Sequence, residues 1–458
     1  MDDPSTTAGR LTVDELARMT ATPVDMLRAW QRLGLLSSRS DALSALDVER
    51  VRLLRFVEGR GVDAETVARV SEAQGDLLGE FVDSLLGEHR PGPLVPLADA
   101  AEVAGLDPAL LERLWVAAGL REQHHADPDD VEAMRWLGAT VAAGLPADAL
   151  VQIVRVFADA LGRVADAEAR LFHHYVHERL RADGLEGREL LAATRAVSQP
   201  LMGLIEPAVL YFHRVAFRRA LGEDLLVHLA EGTTPPADVP GEIEATILFV
   251  DLSGFTPLTE AMGDDAAARL MERFSQLVRD AGLRCHGHVV KQIGDEFMLA
   301  FDDPASAVRC GLDVEAAAVA EPRFPAVRMG AHAGPLLYRE GDYVGATVNT
   351  AARVVAAAGR HQFLVTAAIR AALTDVPGIE VIPHGARELK GIAGGLDLYE
   401  ARRAHHRGPH RVTDPVCLME LDPAAAAARL TWRSTDLLFC SDDCLRLFAA
   451  DPERYAHA

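Results

Sequence analysis

Phe249-Val250-Asp251-Leu252-Ser253-Gly254-Phe255-Thr256 is an apolar run that ends on an acid and then breaks at Ser-Gly. Such a run reads as a strand, here over 245–250, that delivers the Asp251 carboxylate to the mouth of a sheet. Downstream, His288–Ile293 and Phe297–Phe301 flank Gly294-Asp295, the pattern of a β-hairpin whose tight turn carries a second acid, Asp295. Apolar spacing predicts helices over 264–283, 304–318 and 348–358. Further strands are expected at 326–333, 363–365, 379–382 and 396–400. The order is βαββαβ with extra strands, which implies an α+β domain with an antiparallel sheet and helices packed on one face.

Carboxylates at a strand end and in a neighbouring turn suit a Mg²⁺ or Mn²⁺ ion held on a nucleotide's phosphates. Asn349 and Arg353 lie four residues apart at the start of a predicted helix, so both side chains project from one face. Taken singly, each of these residues has an ordinary reading: an acid after a strand is a turn former or helix cap, and a strand lysine is solvated. Together, Asp251, Lys291, Asp295, Asp342, Asn349 and Arg353 stand in the order and at the spacing of the active site of class III nucleotide cyclases, which residues 243–403 resemble.

The resemblance implies a ferredoxin-like catalytic core and two Mg²⁺ or Mn²⁺ ions on Asp251 and Asp295. It implies that Lys291 donates to adenine N1, that Asp342 accepts from the N6 amino group, that Asn349 positions the ribose, and that Arg353 stabilises charge on the transferring phosphoryl group. Lys390, in Glu388-Leu389-Lys390-Gly391, matches the lysine for the terminal phosphates. Guanine would leave Lys291 and Asp342 mismatched, and an unpaired buried polar group costs about 1–3 kcal/mol. The expected reaction is therefore conversion of ATP to cyclic AMP and pyrophosphate. The alternatives are a guanylate cyclase, and a nucleotide-binding transcriptional or metal-sensing regulator without turnover. Family sites form between two head-to-tail domains, so one complete residue set implies a homodimer with two sites.

With 458 residues and 49% hydrophobic content, the chain is long enough for two to four cores. A formal charge of −22 argues against broad binding to nucleic acid or anionic membrane. The acidic start and the lack of any apolar run of about eighteen residues point to a cytoplasmic protein without a leader or a span. Five cysteines in such a length set up no disulfide framework. Cys285 and Cys310 are read as packing residues. Breaks rich in Pro, Gly and polar residues occur at 87–93, 231–241 and 405–410.

Ahead of the catalytic region, Leu11–Leu16 through Trp30 and Gly34-Leu35 repeats as Leu97–Glu102 through Trp115 and Gly119-Leu120. Each copy, within 1–88 and 97–228, resembles the helix-turn-helix of MerR-type regulators. Where such wings set Arg and Tyr on phosphates, Ser37-Ser38-Arg39-Ser40-Asp41 and Arg121-Glu122-Gln123-His124-His125 stand instead, so a helical module without DNA contact is expected. Leu150, Ile153, Val154, Phe157, Leu161 and Val164 continue at helical spacing. Region 97–228 resembles the regulatory domain of soluble actinobacterial adenylate cyclases, with His173, His174 and His177 as one possible pH trigger. At the other end, Asp414-Pro415-Val416-Cys417 and Phe439-Cys440-Ser441-Asp442-Asp443-Cys444 resemble a YHS domain over 412–456. Cys417, Cys440 and Cys444 could give three thiolates to Zn²⁺ or Cu(I). Leu418 stands where that family has glycine.

Overall fold

The computed structural model describes residues 11–37, 43–76, 78–79, 81–82, 95–120, 125–231, 239, 241–374, 376–392, 394–404 and 411–455. The break at 87–93, most of those at 231–241 and 405–410, and the wing residues 38–41 and 121–124 lie outside these. The chain forms two compact units, divided at Pro235/Pro236.

In the first unit one helical order occurs twice. Helices α1 (Val13–Thr20), α2 (Val24–Arg32), α3 (Ala45–Glu58) and α4 (Ala64–Gln74) are followed, in the same order, by α5 (Leu97–Ala104), α6 (Pro108–Ala117), α7 (Pro128–Ala142) and α8 (Ala147–Phe172). A bridge between Leu11 and Leu43 in the first copy corresponds to the ladder Val95↔Ala126 and Pro96↔His125 in the second. Thr12–Glu15 and Asp127–Asp130 form reciprocal capping boxes at α1 and α7, which satisfy donors that a helix start leaves open. Trp30 and Trp115, matched in the repeat, are both buried.

After α8 comes a π-helical turn at His173–His177, and then α9 (Gly187–Glu231), which contains Pro200 and Pro207. Of the apolar stripe on α8, Leu150 is buried, but Ile153, Phe157, Leu161 and Val164 are 40–47% exposed. Helical periodicity thus identified the face without saying what covers it.

In the second unit, strands β1 (Glu242–Leu252), β2 (His288–Ile293), β3 (Glu296–Phe301), β4 (Phe324–Pro325), β5 (Val327–Arg339), β6 (Asp342–Val344), β7 (Phe363–Thr366), β8 (Ile379–Arg387) and β9 (Leu396–Arg403) are joined by helices α10 (Phe255–Met262), α11 (Asp264–Arg284), α12 (Pro304–Ala320), α13 (Ala346–Ala357) and α14 (Ala367–Ala372). The main sheet has the order β8-β9-β7-β5-β1-β3-β2, with β6 folded back on β5.

Two expectations are corrected here. The β5–β7 pair is parallel, so the sheet is mixed. Helices also cover both faces: Leu248 and Val250 pack with Phe274 and Val278 of α11 and Val308 of α12, whereas Ile247, Phe249 and Met298 pack with Ala351 and Val355 of α13. Every residue of β1 from Ala245 to Leu252 is buried. A strand without alternation is one buried on both sides, which is the signal that the one-face reading passed over. Gly330 of β5 permits the approach of α13, because a Cβ there would sit 2.1 Å from the Val355 nitrogen.

The C-terminal segment adds β10 (Val412–Thr413), β11 (Met419–Leu421), β12 (Ala428–Trp432), β13 (Thr435–Phe439) and α15 (Asp442–Ala450). It does not stand alone. β11 pairs with β4 through Met419↔Pro325 and Glu420↔Phe324. Val416, Cys417, Phe439 and Phe448 belong to the same apolar core as Leu258 and Phe324. A segment too short to bury an adequate core of its own is thereby supported by its neighbour.

Candidate active site

Three acids meet at the end of β1. In the ladder, Asp251 stands opposite Glu296 of β3 and Arg328 of β5, so register assembles the group. Asp251 is only 5% exposed. Arg328 donates to its Oδ2 from Nε at 2.6 Å and reaches it with Nη2 at 2.5 Å. Asp295 occupies the tight turn, where Gly294 has φ of 62°. Burial, then repulsion from Asp251 and Asp295, pushes Glu296 up to about 7 against the pull of Arg328. Burial raises Asp251 as well, although the Arg328 bonds oppose it. Three carboxylates with one guanidinium leave a partly buried set of hard oxygen donors short of positive charge. That donor set fits Mg²⁺ or Mn²⁺.

A second group forms where β6 returns toward the hairpin. Lys291 and Asp342, 51 residues apart, make an ion pair, and each side chain is a little over a third exposed. The other oxygen of Asp342, Oδ1, accepts from the Tyr343 N–H at 2.9 Å. Asn349 and Arg353 are exposed, one turn apart on α13, and Lys390 is exposed in the loop after β8. The structure thus joins Asp251 to Asp295 and Lys291 to Asp342. The Asp251 carboxylate accepts hydrogen bonds from Arg328 and from the Leu252 N–H.

The third group is sulfur-rich and wholly buried. Cys417 Sγ and Cys440 Sγ lie 3.5 Å apart, and Cys440 Sγ and Cys444 Sγ 3.7 Å. With an Asp414 oxygen, all four donor atoms fall within 4.8 Å of one another. Asp414 ties the two segments together, accepting from the Val416 N–H at 2.8 Å and from the Cys440 N–H at 2.7 Å. Hydrogen bonds from Cys417 and Cys440 pull the Cys444 thiol well below its ordinary value, and their counterpart pushes Cys417 up. Three sulfurs and a carboxylate oxygen buried side by side make a soft donor set that fits a thiophilic cation. Cys310 is buried in the core with Cys285 at its margin, in keeping with the packing role expected of both.

Residues 240–401 match the adenylate and guanylate cyclase catalytic domain family, residues 34–221 the adenylate cyclase regulatory domain family, and residues 412–458 the YHS domain family. Over 380 residues the chain is 30% identical to the uncharacterized protein Rv2212 of Mycobacterium tuberculosis (strain ATCC 25618 / H37Rv), an overlap of 79% of this chain and 93% of that protein. The chain belongs to the class III adenylate cyclase family. It is also 28% identical over 369 residues to the pH-sensitive adenylate cyclase MT1302 of M. tuberculosis (strain CDC 1551 / Oshkosh), covering 78% of this chain and 89% of that protein. An adenylate cyclase of Streptomyces coelicolor is 29% identical over 336 residues, covering 70% and 83%.

Three residues of the cyclase's polar groups escaped the reading of its sequence. Glu296 was available as the residue after Asp295 in Gly-Asp-Glu. Arg328 carried no local signal, since only the β1–β5 register brings it to Asp251 across 77 positions. Asp414 was quoted with the cysteine motif but not assigned to its donor cluster.

Proposed function

We propose that this cyclase converts ATP to 3′,5′-cyclic AMP and pyrophosphate at sites shared between two copies of the chain. The observation that carries the reading is the division of the polar residues. The carboxylate group is self-contained and short of positive charge, whereas Lys291 and Asp342 offer a donor and an acceptor side by side and open to solvent. Lys291 donates to the adenine ring nitrogen and Asp342 accepts from its amino group, and guanine reverses both polarities. Asn349 orients the ribose, Arg353 meets charge that develops on the transferring phosphoryl group, and Lys390 holds the terminal phosphates. Asp251 and Asp295 hold two Mg²⁺ or Mn²⁺ ions, with Arg328 keeping Asp251 in place. When bound, the metal supplies charge that acidifies the ribose 3′-hydroxyl and neutralises the departing pyrophosphate.

Pairing of two chains accords with the exposed apolar rows on the long helices, where Phe157, Leu161, Tyr211 and Phe212 are each 46–68% exposed. We assign the helical region control of that pairing. Its His173–His177 turn, in which the two rings stack 5.0 Å apart and His173 lies 3.5 Å from Glu178, is the pH-responsive element. Among the described residues no helix is long and apolar enough to cross a membrane.

The test is cyclic-nucleotide formation by full-length protein with ATP and with GTP, Mn²⁺ supplied, at pH 6 and pH 8. Cyclic AMP that Asp251→Ala abolishes supports the reading. Preference for GTP would overturn the base assignment, and no product from either nucleotide would favour a nucleotide-binding regulator. A pH profile identical for full-length protein and the 243–403 fragment would remove the helical region from pH control.

A further inference from the structure

The cysteine cluster and the carboxylate strand end lie on opposite sides of one contact. Leu418 follows Cys417 directly and has φ of +59°, a conformation that a branched side chain adopts only when its surroundings impose it. The surroundings are explicit. Arg360 Nη2 donates to the Leu418 carbonyl at 3.0 Å, and the Leu418 N–H donates to the Asp414 carbonyl at 3.0 Å. The side chain so held lies against Gly254, where an added Cβ would sit 2.5 Å from Leu418 Cδ1. Gly254, at φ of +82°, starts α10 three residues after Asp251. Between them, the Ser253 N–H donates to the Ala326 carbonyl at 2.8 Å, directly beyond the β4 strand that β11 extends. His361 Nε2 and Glu420 Oε2, 2.7 Å apart, fasten the same β11 edge.

We propose that the Cys417–Cys440–Cys444 site is a sensor for a thiophilic divalent cation of the Zn²⁺ type, and that Leu418 conveys its occupancy to the Ser253-Gly254 loop beside Asp251. Tetrahedral ligation with Zn–S near 2.3 Å places sulfurs about 3.8 Å apart. The present separations of 3.5 and 3.7 Å are far beyond a disulfide and slightly short of that value. Loading fixes all three sulfurs at that separation, with thiol protons released to solvent. Cys417 and Leu418 move together with the cluster, because the Leu418 N–H is bonded to the carbonyl of Asp414, whose carboxylate is one of the four donors. The Leu418 side chain lies on Gly254 and, with Pro257 and Ala261 of α10, lines one cleft, so a shift of the Cys417–Leu418 turn meets the start of α10 directly. The inference rests on the metal-site reading of the cysteines. It does not require that the catalytic domain turn over ATP.

The test uses full-length protein, stripped with a chelator and then titrated with Zn²⁺, with Co²⁺ as a spectroscopic stand-in for thiolate ligation. The readout is amide exchange across residues 249–262 and the affinity for a fluorescent ATP analogue. Wild type is expected to bind one equivalent, to slow exchange at 253–258, and to change nucleotide affinity by about 5-fold or more, the lower end of ordinary allosteric coupling. Leu418→Gly suits the positive φ, and it should bind the same equivalent of Zn²⁺ while losing both responses. Leu418→Ala, which keeps the Cβ, should lose part of them. Cys440→Ser should lose binding and response together. Failure of wild type to bind, binding without altered exchange at 253–258, or a full response in Leu418→Gly would each overturn the proposal. Absence of cyclic AMP alongside intact zinc-dependent exchange would count against the catalytic reading only.

Discussion

The oxygen site and the sulfur site of the C-terminal unit are built on opposite principles. Asp251 is buried and Asp295 and Glu296 are partly exposed; the three carry more negative charge than Arg328 offsets, and come from two strands and a turn brought into register. Cys417, Cys440 and Cys444 are closed off, lie within hydrogen-bonding reach along the chain Cys417–Cys440–Cys444, and are clamped by Asp414. A site that must admit and release a large anionic substrate stays open and electrostatically unbalanced. A cluster with room for no more than an ion can be buried inside a core.

The sharpest way to break this contrast is to remove a ligand from the open site. Asp251→Ala should cost turnover about 10³-fold or more, as loss of a residue that acts only through transition-state charge does, while changing the melting temperature little. A large fall in melting temperature would mean that the acid is structural. The closed site should respond in the opposite sense. Phe448→Ala removes a ring that packs on Trp432 and Phe439 and should destabilise the second unit by about 3–5 kcal/mol. Because that ring belongs to the catalytic domain's core, denaturant unfolding should show the 240–455 region losing stability as one transition. Separate melting of residues 411–455 would count against a shared core.

Base reading gives an intermediate effect. Lys291→Glu should lower kcat/KM for ATP roughly 10- to 100-fold, the equivalent of about 1–3 kcal/mol, without improving thermal stability. Unchanged kcat/KM would detach the Lys291–Asp342 pair from adenine.

The smallest effect separates two glutamates. Glu296 has its carboxyl raised to about 7, chiefly by burial, so the folded state binds more protons between its unfolded value and 7. Its contribution to stability is greatest in acid and is lost as pH rises through about 7. In the Glu296→Gln variant the fall in melting temperature between pH 5 and 8 should flatten, and Mn²⁺ should stabilise wild type more at pH 8 than at pH 6. Burial also acts to raise Glu420, but hydrogen bonds and charge from His361 and Arg360 outweigh it and hold that carboxyl below its ordinary value. Its contribution is present above the unfolded value and is lost as pH falls through the folded one. Glu420→Gln should therefore remove stability at neutral pH and little in strong acid.

Residues 242–403 show how far local pattern reaches. The hairpin at 288–301 and helices 264–284, 304–320 and 346–357 were legible because each carries its own period and its own stops: Gly-Asp in the turn, and Asp303-Pro304 at a helix start. The candidate residues were legible as well, since their order along the chain reproduces a known pattern. Short α10 and β6 were missed, each lacking the length that makes a period visible.

Chain chemistry by itself determined the elements, the repeat, the six residues in cyclase order and the cysteine triad, because propensity, periodicity and donor type are properties of neighbouring residues. Tertiary structure alone decided that helices cover both faces of the sheet, that Arg328 and Glu296 flank Asp251, that Lys291 meets Asp342, and that Leu418 lies on Gly254. Each of these joins positions tens to more than a hundred residues apart. Such contacts are set by strand register and core packing, which no local window of sequence records.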